Sequence, residues 1–227
     1  MSDKGKMVAL ADIHGCYRTL EALLKKLDSF RYGKFIFLGD YIDRGPDSKS
    51  VLELLIDFRE DHDTIILRGN HEQMMLDAVN KGDISLWMLN GGSQTLKSYG
   101  LEAGNLDIPP RHFDFINEME VYYETDEYFF VHAGLPPDLR ISDATKNNEM
   151  KYEFLWERSH LDLELDKPVW EKKVVFGHTP LHMPILTEKM IGIDTGCVFP
   201  HLTGMGYLTA AVLPDEQFIY QKNIELP

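Results

Sequence analysis

Short apolar runs alternate with longer stretches whose apolar positions recur every third or fourth residue. Residues 7–11 form a first apolar run, which predicts a strand. Leu20, Leu23, Leu24 and Leu27 then fall at helical spacing, with lysines near the end, and predict a helix over 17–30. A second strand is expected at 35–38 and a second amphipathic helix over 48–60. After an acidic turn at 61–63, a third strand is expected at 64–67 and a third helix from about 72 to 81, with Asn70 or His71 near its cap. Three successive strand–loop–helix units predict a parallel sheet with right-handed crossovers.

The pattern then changes. Residues 83–117 mix helical and turn signals, including Gly91-Gly92 and Pro109-Pro110, and predict a helical insertion over one edge of the site. A hairpin is expected from 121–124 and 128–131 with Asp126 in its turn, a helix over 147–158, and another buried strand at 173–176. Four short runs beyond Pro184, at 185–186, 190–193, 207–213 and 218–220, predict antiparallel strands. The expectation is one domain over 1–227, with the insertion at about 83–118.

Composition narrows the class. At 227 residues with 44% hydrophobic content the chain can bury a sizeable core. No apolar run approaches membrane-spanning length, and the first residues lack a signal-peptide core, so a cytoplasmic protein with no membrane partner is expected. Cys16 and Cys197 are too few for a disulfide framework and predict buried thiols. A net charge of −14 opposes a nucleic-acid partner. A phosphate-ester substrate would need its cations concentrated at the site: bound metal plus a few local arginines.

The chemistry lies where the strands end. Asp12-Ile13-His14, Asp40, Asn70-His71, His132-Ala133-Gly134 and Gly177-His178 each close a predicted strand with residues of metal-ligand type. A spacing of two would put Asp12 and His14 on one side of an extended segment. Strands of one sheet bring their ends together, and in open α/β sheets that edge is where ligands bind. Aspartate, histidine and asparagine with no cysteine suit manganese, iron or zinc. On the loop after the second strand, Asp43 and Arg44 follow Asp40 closely: acids to hold cations, a guanidinium to hold an anion. The other five histidines (His62, His112, His160, His182 and His201) have no such setting, and Cys16 is taken as packing.

These segments carry a resemblance. Asp12-x-His14, Gly39-Asp40-x-x-Asp43-Arg44-Gly45, Gly69-Asn70-His71-Glu72, His132-Ala133-Gly134 and Gly177-His178 resemble, in order and spacing, the metal-dependent phosphoprotein phosphatases. That family includes the eukaryotic serine/threonine phosphatases, bacteriophage lambda phosphatase and bacterial diadenosine tetraphosphatases. Ile193-Asp194-Thr195-Gly196-Cys197 resembles its small bacterial branch. The resemblance implies an α/β fold: a calcineurin-like metallophosphoesterase β-sandwich flanked by helices, with a dinuclear site at strand ends. It implies that Asp12, His14 and Asp40 hold one metal, and that Asp40, Asn70, His132 and His178 hold the second. His71 would be a general acid with Asp43 as partner. Arg44, Asn70 and an arginine in the Leu155-Trp156-Glu157-Arg158 segment would contact the phosphate. Arg158 is the candidate, although Arg140 lies in the same interval.

The implied activity is hydrolysis of phosphate monoesters, with hydroxide attacking phosphorus in line and two divalent cations, manganese foremost, activating it. Phosphoserine and phosphothreonine of proteins are the expected substrates; symmetrical cleavage of dinucleoside tetraphosphates is the alternative. A non-catalytic metal-binding scaffold would have lost Asp43, His71 or a ligand, and all are present.

Overall fold

The computed structural model describes residues 5–27, 33–162 and 168–226. Its ten strands are β1 (Met7–Leu10), β2 (Lys34–Phe37), β3 (Thr64–Ile66), β4 (Tyr122–Glu124), β5 (Tyr128–Val131), β6 (Lys173–Phe176), β7 (Ile185–Leu186), β8 (Met190–Gly192), β9 (Tyr207–Leu213) and β10 (Gln217–Lys222). Among the described residues eight α-helices connect them: α1 (Tyr17–Leu27), α2 (Ser48–Asp61), α3 (Asn70–Lys81), α4 (Ser85–Leu89), α5 (Gly92–Ser98), α6 (Pro110–Asn117), α7 (Ile141–Ala144) and α8 (Met150–Glu153).

The strands form two mixed five-stranded sheets, in the orders β10-β9-β1-β2-β3 and β4-β5-β6-β8-β7. β1, β2 and β3 run parallel, as the three strand–loop–helix units require. Alternation along the strands shows why the sheets stack. Ala9, Ala11, Ile36, Leu38, Phe130, Val175, Ala211 and Leu213 point inward and build a core between the sheets. Their neighbours Val8, Leu10, Phe35 and Phe37 point outward and pack with the buried faces of α1, α2 and α3. On the other outer face Phe129, Val131, Val174 and Phe176 pack with Ile141, Phe154 and Trp170. Both faces of each sheet are covered, which explains runs that are apolar at every position.

Three expectations change. Residues 147–158 do not form one helix. Only Met150–Glu153 is helical, because the chain then turns inward, buries Phe154 and Leu155, and the Phe154 carbonyl accepts the Ala133 N–H at 2.9 Å. β8 is not wholly antiparallel: it pairs antiparallel with β7 but parallel with β6, so β7 and β8 complete the second sheet, while β9 and β10 join β1 in the first. Asp12 and His14 are not extended, with φ of 56° and 45°. Residues 28–30 of the expected first helix lie outside the described residues.

Candidate active site

The carboxyl ends of β1, β2, β3, β5 and β6 meet at one edge of the sandwich, and the loops leaving them stay hydrogen-bonded. The Asp12, His14 and Gly15 amides donate to the carbonyls of Gly39, Asp40 and Tyr41 at 2.8–3.1 Å, and Gly177 N–H donates to the His132 carbonyl at 2.8 Å. Glycines sit where these backbones touch. A Cβ on Gly177 would run into Asp12 Oδ2, and one on Gly45 into the His14 carbonyl oxygen. Among the described residues seven non-glycine residues have positive φ, and six are here: Asp12, His14, Asp40, Asp43, Arg44 and His178. Such strain persists where the surroundings dictate it, and it concentrates at functional sites.

Asp12, His14, Asp40, Asp43, Asn70, His71, His132 and His178 are all buried. Two trios bring ligand atoms within 4.8 Å of one another: His14, Asp40 and His71, and Asp40, His132 and His178. Asp40 belongs to both. Asn70 joins the second trio, its Oδ1 lying 2.9 Å from His132 Nε2 and 3.0 Å from His178 Nδ1. Asp12 stands beside the first trio and is not part of it; both its carboxylate oxygens accept the His178 N–H, at 2.9 and 3.0 Å. His71, expected as an acid, occupies the third place, with Nε2 3.9 Å from Asp40 Oδ2.

The hydrogen bonds behind the imidazoles decide what these atoms can do. His132 Nδ1–H donates to the Leu38 carbonyl and His14 Nδ1–H to the Ile42 carbonyl, each at 2.9 Å. Both rings therefore present an unprotonated Nε2 to the cluster. His132 Nε2 then faces Asn70 Oδ1 at 2.9 Å and Asp40 Oδ1 at 3.4 Å: lone pair against lone pair, with no proton between. Acceptors converge this way around a cation. Oxygen and imidazole donors without thiolate suit a hard or borderline divalent ion.

The electrostatics agree. Burial pushes His14 and His132 below the ordinary imidazole range, and burial together with His132 pushes His178 down to about 2. Burial alone would raise Asp40, but His132, His71, His14 and His178 around it hold it far below the usual carboxylate range. Asp12 is pushed well up by burial and by the charges of Asp194 and Asp40, an excess of buried negative charge that a cation would relieve.

His71 differs from the other imidazoles. Its Nδ1–H donates to Asp43 Oδ2 at 2.6 Å, and Nε2 is buried without a partner, facing the cluster. Burial works against its charge, but Asp40 and the bond to Asp43 outweigh that and raise its pKa. Asp43 is itself gripped by Trp87 Nε1–H at 2.9 and 3.0 Å and by Thr95 Oγ1–H at 2.6 Å. Burial nonetheless leaves its pKa raised. The short helices α4 and α5 thus supply Asp43 with donors.

Arg44 lies at the rim. Its Nη1–H donates to His14 Nε2 at 2.8 Å, and its charge favours ionisation of Asp12 and Asp194. Arg158 heads the short 3-10 helix Ser159–Leu161, is exposed, and disfavours protonation of His132 and His178 through its charge. Arg140 instead donates to Glu171 at 3.2 Å on an exposed surface.

Four residues had no role assigned from sequence. Glu72 lies inside a quoted motif, and its carboxylate accepts four backbone N–H groups, from Asp40, Tyr41, Ile42 and Gly69, at 2.8–3.2 Å. A glutamate three residues after the cap is the capping-box spacing, a signal available in the sequence. Asp194 follows an apolar run just as the other site aspartates do. Trp87 and Thr95 carry no local signal, since each reaches Asp43 across more than forty residues.

Comparison with known proteins accords with this geometry. The sequence profile of the calcineurin-like phosphoesterases matches residues 5–208. The chain belongs to that family. It is a metal-dependent phosphatase, and the sandwich with its shared-aspartate cluster is the family fold. Serine/threonine-protein phosphatase 1 of Salmonella typhimurium is 33% identical over 200 residues, covering 84% of this chain and 86% of the relative. A bis(5'-nucleosyl)-tetraphosphatase of Oceanobacillus iheyensis, of the asymmetrical kind, is 28% identical, covering 94% and 91%. A crystal structure of a protein provisionally assigned as a diadenosine tetraphosphatase superposes with a TM-score of 0.70 at 24% identity, covering 98% of this chain and 96% of that one.

Proposed function

We propose that this phosphatase removes phosphate from phosphoserine and phosphothreonine of proteins. Asp12, His14 and Asp40 would hold one divalent cation, and Asp40, Asn70, His132 and His178 a second. The donor set suits manganese, with iron or zinc as competitors. When bound, the two cations supply Lewis acidity, acidifying water and screening phosphate charge. Arg44 and Arg158, with Asn70, grip the phosphoryl oxygens, since planar guanidinium matches them bidentately. His71 Nε2 donates a proton to the departing oxygen, while Asp43 holds Nδ1 and favours the imidazolium.

The carrying observation is the dyad of His71 and Asp43, 2.6 Å apart, beside an Asp40 shared by two ligand trios. An alkyl phosphate leaves as a strong base and needs such an acid. The protein-phosphatase relative at 33% identity supports the substrate class. The insertion supports it too, because Trp87 and Thr95 are committed to holding Asp43.

A second reading, dinucleoside tetraphosphate hydrolysis, is favoured by the 94% coverage of the tetraphosphatase relative. The test is kcat/KM on phosphoserine and phosphothreonine peptides, p-nitrophenyl phosphate and diadenosine tetraphosphate with added manganese. The phosphopeptides are expected to win. A higher kcat/KM on diadenosine tetraphosphate would overturn the assignment. Its products would then tell asymmetrical cleavage (ATP and AMP) from symmetrical (two ADP).

A further inference from the structure

Arg44 is held on a strained backbone, with φ of 66°, on the loop after β2. Its N–H donates to the Gly91 carbonyl at 3.3 Å, and its guanidinium reaches His14 Nε2. That nitrogen is the ligand atom His14 would give a cation, so in the loaded enzyme it is not available to Arg44. The guanidinium has a second contact that a cation would not take: its carbon lies 5.6 Å from the centre of the Phe199 ring.

Phe199 is well placed to act as a fixed platform. It sits half-buried on the loop between β8 and β9, whose base is closed by several bonds. Gly206 N–H donates to the Gly196 carbonyl at 3.0 Å, and Phe199 N–H donates to the same carbonyl at 2.8 Å. Asn223 ties both ends: its Nδ2–H donates to the Cys197 carbonyl at 2.9 Å and its N–H to the Gly206 carbonyl at 2.8 Å. Cys197 and Val198, just before Phe199, are buried. The ring is therefore presented from a rigid stem to a flexible side chain that sequence places in a different part of the chain.

We infer that Phe199 is a positioning residue for Arg44. Its ring keeps the guanidinium at the rim of the site, facing the phosphate. This rests on the reading of Arg44 as a phosphate ligand. Long cationic side chains lose conformational entropy when they bind, and a face that already restrains Arg44 removes part of that cost.

The test uses the manganese-loaded full chain and inorganic phosphate as probe, with affinity measured calorimetrically and metal content and melting temperature as folding controls. Phe199→Leu keeps apolar bulk and removes the π face. It is expected to weaken phosphate roughly two- to fivefold, with KM rising alike and kcat changing little. Phe199→Trp, a stronger π face, restores wild-type affinity. In the Arg44→Ala background, Phe199→Leu weakens phosphate no further. If Arg44→Ala weakens phosphate while Phe199→Leu does not, or if Phe199→Leu has its full effect without Arg44, the positioning role is refuted. If Arg44→Ala leaves phosphate affinity unchanged, the phosphate-grip reading falls first and the inference with it.

Discussion

Asp43 accepts hydrogen bonds from His71, Trp87 and Thr95, and that fixes the His71 ring so that Nε2 points into the cluster. If His71 is the general acid, its loss depends on the leaving group. His71→Asn should keep both metals and lower kcat on phosphoserine by roughly 10²–10⁴. The loss on p-nitrophenyl phosphate should be smaller, because p-nitrophenolate is a weak base. Metal content measured beside kcat separates the alternatives: loss of a metal would make His71 a ligand, and equal losses on both substrates with both metals kept would make it a positioning residue. A second residue-scale prediction concerns His160. It is buried against Phe176 and Gly134, both ring nitrogens lack a partner, and burial, partly countered by Glu157, lowers its pKa to about 4. The unfolded value is near 6.5. Between these values the unfolded chain binds the proton and the native state does not. The contribution is therefore complete above about pH 6.5 and lost as pH falls through about 4, to a total of about 3 kcal/mol. Urea unfolding at pH 7 and 5 should show wild type losing about 2 kcal/mol more than His160→Phe. An equal loss in both proteins would refute this origin of the acid sensitivity.

At the scale of elements, the loop after β2 and the start of α3 are joined through one carboxylate. Glu72 accepts four N–H groups there, and burial with the nearby Asp40 charge pushes its pKa up to about 7. Glu72→Gln would turn an amide donor toward backbone donors. It should cost about 1–3 kcal/mol for each N–H left unpaired and weaken metal binding by displacing Asp40. Denaturant midpoint and manganese titration check this, and wild-type values in both would show that the loop holds itself. The contrast between Glu72 and Trp87 marks what the sequence makes legible. Strands buried on both faces show as apolar runs, and helices as three-to-four periodicity, because side-chain direction follows local geometry. The clustering of polar residues at the strand ends was legible for the same reason: a polar residue after an apolar run has only the sheet edge to occupy. The helix expected over 147–158 failed because tertiary burial of Phe154 and Leu155 overrode local propensity. The grip of Trp87 and Thr95 on Asp43 is a long-range contact with no local pattern. The positive φ of Asp12 and His14 was hidden too, since neither residue type requires it.

Over the whole molecule, the net charge of −14 meets a buried cluster in which Asp12, Asp40 and Asp194 crowd together. Arg44 answers Asp12 and Asp194 with its charge, Arg158 adds to it at Asp194, and two guanidiniums cannot neutralise all three. Two divalent cations at the shared aspartate would tie both sheets together, because His132 and His178 come from the second sheet and Asp12, His14, Asp40 and Asn70 from the loops of the first. Metal binding should therefore be visible as stability of the fold, independently of activity. A ligand that binds only the native state at a hundredfold its Kd adds about 2.7 kcal/mol per site. For a chain of this size each kcal/mol raises the melting temperature by roughly 2–4 °C, so each site filled by manganese should add roughly 5–11 °C. Chelation should remove the increment and re-addition of manganese restore it. Asp40→Asn, which takes the shared charge from both trios, should melt at a temperature nearly independent of manganese. His71→Asn should keep the full increment if His71 carries a proton and is not a ligand. Scanning calorimetry of the three proteins with and without metal makes the comparison. A wild-type melting temperature unmoved by chelation and by re-addition would exclude a cation shared between the sheets.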